Sequence, residues 1–139
     1  MTPRALIDQA LEARSNAYAP YSGFAVGAAL LCADGRVFLG CNVENASYPA
    51  AMCAERVAFG AALAAGYREF SAIAVVGGPQ GDPAGRPCFP CGVCRQVMRE
   101  FCGDDFQAFL LEQDKVQQYT LAELMPYSFI LEENGHAHD

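Results

Sequence analysis

Leu6, Ala10, Leu11, Ala13 and Ala17 recur at helical spacing behind Thr2-Pro3, a capping residue followed by a proline suited to the first helical position. This predicts a helix to about Asn16, broken by Tyr18-Ala19-Pro20-Tyr21-Ser22-Gly23. Phe24 to Cys32 and Arg36 to Val43 are β-type segments, and Asp34-Gly35 between them reads as a hairpin turn. Pro49 to Ala65 is alanine-rich and stops at Gly66, as a helix ending on a left-handed residue does. Ser71 to Val76 is nearly all apolar and predicts a central strand. Gly77 to Pro87, full of glycine and proline, predicts a surface loop. A further helix is expected from about Gly92 to Phe101 and a strand near Phe106 to Leu111. Thr120-Leu121-Ala122-Glu123 matches a capping box opening a short last helix, and the polar stretch 132–139 is expected to fray. The order α-β-β-α-β-α-β-(β)-α has no internal repeat and predicts a sheet covered by helices on both faces.

Composition narrows what such a fold can do. A chain of 139 residues suits one domain with a single core. Although 53% of its residues are hydrophobic, no apolar run is long enough to span a bilayer. Met1 to Ala10 carries acidic and polar residues where a secretory signal would need an apolar stretch, so a cytoplasmic protein with no membrane partner is expected. The net charge of −7, without any basic run, opposes binding to DNA or structured RNA, which requires clustered cations to neutralise phosphates. A small, uncharged or weakly charged substrate fits better.

The seven cysteines stand at 32, 41, 53, 88, 91, 94 and 102. An odd number in a chain without a signal argues against a disulfide framework, and the clustering at 88, 91 and 94 points to metal. Cys53-Ala54-Glu55 and Pro90-Cys91-Gly92-Val93-Cys94 each stand at a helix start, with one strand between them. A two-residue gap lets Cys91 and Cys94 reach one tetrahedral ion from a single turn, with Cys53 arriving from the facing helix. That set leaves a fourth position open for water, as a catalytic zinc requires. Helix N-termini also favour thiolates. Three thiolates leave a zinc ion with a formal charge of −1, which Arg56 is placed to offset by bonding to a ligand sulfur, with Arg95 a second candidate. Glu55 in the first turn can reach back over the metal, take a proton from activated water and pass it to a substrate nitrogen. The bland reading is a closed Cys₄ site with Cys88 as fourth ligand, or part of an iron–sulfur spacing, in a zinc-stabilised binding module without turnover. Cys32, Cys41 and Cys102 read as small buried hydrophobes, and His136 and His138 as solvated tail residues.

The pattern of Cys53-Ala54-Glu55 followed by Pro90-Cys91-Gly92-Val93-Cys94 resembles the zinc nucleobase deaminases. With the segment from Gly40 to Pro49, Arg56, and Arg95-Gln96, it is similar to the short, homotetrameric cytidine deaminases over nearly the whole chain, from Tyr18 to Phe129. The resemblance implies a three-layer α/β/α sandwich with a mixed five-stranded sheet, as one domain over 1–131 with a tail over 132–139. It implies one zinc per subunit on Cys53, Cys91 and Cys94, with Glu55 as proton shuttle. It places Phe24 near the base, Asn42 and Glu44 on the ribose hydroxyls and the Ala54 backbone on the pyrimidine carbonyl. Ala46 and Tyr48 border a site shared between subunits, and Phe129 caps a neighbour's pocket. The implied activity is deamination of free cytidine and deoxycytidine in pyrimidine salvage; the alternative is a relative acting on a cytosine-containing antibiotic nucleoside. Neither Asn42 nor Glu44 offers a positive charge to a 5′-phosphate, which favours a nucleoside over a nucleotide.

Overall fold

A parallel strand pair must be joined by a crossover, and crossovers are right-handed, so two of them progressing the same way across a sheet put both helices on one face. That rule organises this chain. In the computed structural model, which describes residues 1–131, a five-stranded sheet has the order β2-β1-β3-β4-β5. Its strands are β1 (Phe24–Cys32), β2 (Val37–Cys41), β3 (Phe70–Pro79), β4 (Gln107–Glu112) and β5 (Lys115–Thr120). β1 pairs antiparallel with both β2 and β3, β3 with β4 in parallel, and β4 with β5 antiparallel, so the sheet is mixed. Helix α2 (Ala54–Ala64) joins β2 to β3 and α3 (Gly92–Phe101) joins β3 to β4. Both lie on one face, where Ala58, Phe59 and Met98 pack on Ala28, Leu30, Ile73 and Val75. Helix α1 (Pro3–Arg14) covers the other, with Leu6, Ile7 and Ala10 against Ala29, Ala72, Ala74 and Val76. The three-layer α/β/α sandwich expected from the sequence is therefore present.

Local signals hold where they are strong. Thr2 caps α1, its hydroxyl accepting from Ala5 N. Gly35 and Gly66 take positive φ at the hairpin and after α2. Thr120 and Glu123 form the reciprocal capping box of α4 (Leu121–Leu124). Three expectations need correction. The helix expected from Pro49 begins only at Ala54, after a single 3-10 turn at Tyr48–Ala50. The reason is tertiary: Met52 exchanges both of its backbone hydrogen bonds with Val43, which holds it extended and stops any helix running through it. The loop expected from Gly77 starts three residues late, because Gly77, Gly78 and Pro79 pair with Val26, Ala25 and Phe24 and lengthen β3. The strand expected over Arg36 to Val43 is shorter, at Val37–Cys41. His136 and His138 lie outside the described residues.

One glycine decides how α2 sits. A Cβ on Gly40 would lie 2.3 Å from the Ala54 carbonyl oxygen and 2.6 Å from Ala58 N, so the first turns of α2 rest directly on the bare backbone of β2. This brings the N-terminus of α2 to the same edge of the sheet as the N-terminus of α3. Ligand sites of open α/β sheets form there, beyond the carboxyl ends of the parallel strands.

Candidate active site

Both helices begin on a cysteine. Cys53 is the N-cap of α2 and Cys91 the N-cap of α3, each in extended conformation and without a capping side-chain hydrogen bond. Cys94 lies in the first turn of α3 and is fully buried. The three sulfurs lie within 4.8 Å of one another, with Cys53 Sγ 3.8 Å and Cys94 Sγ 3.5 Å from Cys91 Sγ. Two thiolates on a tetrahedral zinc with Zn–S of about 2.3 Å stand about 3.8 Å apart, so this cluster has the span of a zinc site. Among the described residues no other group of metal-ligating side chains forms such a cluster. Cys88 is outside it, which removes the closed four-cysteine alternative.

The electrostatics fit a cation. The shared proton of Cys94, with help from Arg56 and Cys91, pulls the Cys53 thiol down to about 5 against the desolvation that opposes it. The Cys94 thiol is pushed up in turn, chiefly by Cys53 and burial. Arg56 Nη2 stands 3.7 Å from Cys53 Sγ and donates to the Ala51 carbonyl at 3.3 Å, as the sequence pattern required of a counter-charge. Its Nε is buried with no hydrogen-bond partner, and the side chain as a whole is half-buried. Arg95 does not share this role: it donates to the carbonyls of Pro90 and Leu124 and ties the start of α3 to α4.

Glu55, in the first turn of α2, is 4% exposed. Burial pushes its carboxyl above the ordinary carboxylate range, the Cys53 thiolate adds to this, and its own backbone N–H and Arg56 work against it. A carboxyl in that state takes up a proton more readily than a free one, which suits a group that carries a proton from one atom to another. Ala54 occupies the first helical position, where a backbone N–H has no acceptor within the helix and points out of its end.

These groups open into a cavity of about 590 Å³. Of the residues singled out from the sequence, Asn42, Glu44, Tyr48, Cys53, Ala54, Glu55, Arg56 and Cys91 line it. Asn42 bridges two backbone groups, accepting from Val26 N at 2.9 Å and donating to the Phe24 carbonyl at 2.8 Å. Glu44 accepts from the amides of Tyr21 and Ser22 and from the Ser22 hydroxyl, which hold its carboxyl below the usual range. Each keeps a face for a ligand, since an amide has two donors and a carboxylate about four acceptor sites. Phe24, 43% exposed, lines an adjoining cavity with Gly77, Arg86 and Pro87 instead. Ala46 and Tyr48 are exposed on the loop ahead of α2, Tyr48 by 78%. Phe129 is 67% exposed and meets the rest of its own chain through its carbonyl, which accepts from Gln96 Nε2.

The sequence did not single out several cavity residues. Val26, Met52, Phe89 and Val93 line the same wall, as does Cys88, whose thiol burial pushes up to about 11. Cys88 stood in the cysteine cluster but was weighed only as a ligand. Arg14 carries no signal in the sequence that marks it out. Its guanidinium donates to the carbonyls of Ala25, Gly78, Pro79 and Asp82 and fastens the end of α1 to the strand ends beside the cavity.

The chain as a whole is similar to known proteins. A family model described as the cytidine and deoxycytidylate deaminase zinc-binding region matches residues 2–109. The chain is 47% identical over 134 residues to the cytidine deaminase of Halalkalibacterium halodurans, covering 96% of this chain and 98% of that one. It is 44% identical over 133 residues to the cytidine deaminase of Sporosarcina psychrophila, covering 95% and 94%. The crystal structure of cytidine deaminase from Burkholderia pseudomallei superposes with a TM-score of 0.84 at 53% identity, covering 93% of this chain and all of that one.

Proposed function

The chain belongs to the cytidine and deoxycytidylate deaminase family, and from that membership we propose that it hydrolyses free cytidine and deoxycytidine to uridine and deoxyuridine with release of ammonia. The observation that carries the reading is a buried carboxyl, Glu55, set beside three converging cysteine sulfurs in one cavity.

Cys53, Cys91 and Cys94 would hold one zinc per subunit, which when bound polarises a water and makes it a nucleophile at neutral pH. Glu55 takes the proton that this water gives up as the C4–O bond forms, and delivers it to N3 of the cytosine. The carboxylate then takes the second proton from the new C4 hydroxyl and passes it to the amino nitrogen, so that C4=O forms as the C4–N bond breaks and ammonia leaves. Its raised pKa and its burial suit both halves of that exchange. On the family reading the Ala54 N–H donates to the pyrimidine carbonyl at C2, Asn42 and Glu44 hold the ribose hydroxyls, and Phe24, which lines the adjoining cavity, turns its ring toward the base. Arg56 offsets the negative charge of three thiolates.

By the same family reading the working unit is a homotetramer in which Ala46 and Tyr48 border a site shared between subunits and Phe129 caps a neighbour's pocket. The exposure of Tyr48 and Phe129 supports this assignment, since large apolar side chains left in water suit an interface. Three ligand thiols suit a reducing compartment such as the cytoplasm. No helix of the described residues is long and apolar enough to cross a membrane.

Glu55→Gln tests the mechanism. It keeps the shape and the sulfurs and removes the proton carrier, so zinc content should stay at one per chain while kcat falls by about 10²–10⁴-fold. Turnover near wild type in zinc-loaded Glu55→Gln would refute the role.

A further inference from the structure

The proposed reading leaves one edge of the substrate without a partner. Glu55 serves N3 and the amino group at C4, Ala54 the carbonyl at C2, and Asn42 with Glu44 the sugar on N1. What remains of the pyrimidine is its C5–C6 edge. Of the apolar wall residues still without a role, Cys88 and Val26 are the two that meet Gly77 and Phe24.

Gly77 and Val26 face each other across the β3–β1 ladder, and Phe24 lies two residues along on the same face of the sheet. A Cβ on Gly77 would stand 2.8 Å from Cys88 Sγ, 3.0 Å from Phe24 Cε1 and 3.1 Å from Val26 Cγ2. The thiol and the ring edge therefore rest on a bare Cα, and a methyl group there has no free direction. The Cys88 sulfur, on a single torsion, is the group that must yield, since the Phe24 edge and the Val26 methyl close the other sides. Gly77 adds no side chain to the cavity itself; it fixes how deep Cys88 sits.

We propose that Gly77 and Cys88 are a matched pair setting the room for the C5 edge of the base, with Cys88 as the residue that restricts substituents at that position. The proposal rests on the deaminase reading above and adds a specificity determinant to it.

The experiment uses the zinc-loaded enzyme as wild type, Cys88→Ala, Gly77→Ala and the double variant, with cytidine and 5-methylcytidine as substrates and uridine as a binding probe. Wild type that releases no ammonia from cytidine defeats the deaminase reading itself. Given an active wild type, Cys88→Ala should raise kcat/KM for 5-methylcytidine relative to cytidine about tenfold, the scale of one methyl group in an apolar pocket. Gly77→Ala should lower kcat/KM for cytidine about tenfold, mainly through KM, and weaken uridine binding to match. Adding Cys88→Ala to Gly77→Ala should return both, because the atom that the new methyl strikes is gone. All variants should hold one zinc per chain. An unchanged substrate ratio in Cys88→Ala, or a double variant no better than Gly77→Ala, overturns the proposal. Should Gly77→Ala fail to fold, recovery of folding and uridine binding in the double variant supports the pair, and failure of the double variant as well refutes it.

Discussion

Arg56 gives the sharpest test of how the cysteine cluster tolerates its charge. Three thiolates and one zinc ion carry a net negative charge, and Arg56 Nη2 is the cation recorded beside them, 3.7 Å from Cys53 Sγ. Unit charges at that separation attract by about 4.5 kcal/mol at an effective dielectric of 20. The guanidinium gives up hydration to reach that place, its Nε being buried without a partner, which cancels part of the gain. What survives should be close to the ~1.5–3 kcal/mol of a hydrogen bond to a charged group. Arg56→Gln keeps a donor and most of the length but removes the charge, so zinc affinity should fall by about 10–100-fold. Competition against a chromophoric chelator at fixed pH reads this directly, without reliance on turnover. Arg56→Lys should recover part of the loss, since it restores the charge but not the planar fork that also reaches the Ala51 carbonyl. Zinc affinity in Arg56→Gln equal to wild type would refute the argument, as would a loss that merely follows melting of the fold.

Three other outcomes follow from the geometry. Asn42→Ala strands the Val26 N–H and the Phe24 carbonyl, and should cost about 1–3 kcal/mol, read as a lower urea midpoint with unchanged m-value. An unmoved midpoint would contradict that bridge. The Ser22 hydroxyl and amide and the Tyr21 amide hold the Glu44 carboxyl below its ordinary value of 4.5, so its contribution to stability is present above that value and disappears as pH falls through the lower, folded-state pKa. The Tm difference between wild type and Glu44→Gln should thus be present at pH 6 and shrink in acid, roughly below pH 4; a difference that grows in acid would reverse the sign. Gly40→Ala sets a methyl against the Ala54 carbonyl and Ala58 N, which are backbone and cannot rotate away. It should lower stability by at least about 1–3 kcal/mol and, because α2 carries Cys53, weaken zinc binding with it; intact zinc affinity would mean that α2 does not rest on Gly40 as described.

What could be read from the sequence was what is decided locally. The stripe of α1, the Thr120–Glu123 capping box and the Cys91–Cys94 spacing depend on residues within one or two turns, so pattern sufficed for each. The three cysteine sulfurs converge as their spacing predicted, although α2 starts at Ala54 rather than at Pro49. Misreadings arose where a distant partner decides. Nothing near Pro49 tells that Met52 will be captured by Val43, or near Gly77 that β1 will extend the ladder to Pro79. The four carbonyls gathered by Arg14 and the contact of Cys88 with Gly77 likewise come from segments that meet only after folding. Arg95 was misjudged for the same reason, its acceptor at Leu124 lying beyond a strand pair.

Cysteine at the cap positions of α2 and α3 has a cost that the chain accepts. Serine or aspartate at 53 or 91 would close either helix end better, by roughly 1 kcal/mol, and would leave the ion without its seat. The two first turns are therefore the least self-sufficient parts of their helices, and the negative charge of metal-bound thiolates would do at these helix ends what a capping oxygen does elsewhere. Stripping the ion should loosen those turns before it disturbs the sheet beneath them, and amide exchange at 54–57 and 92–95 would register the change first.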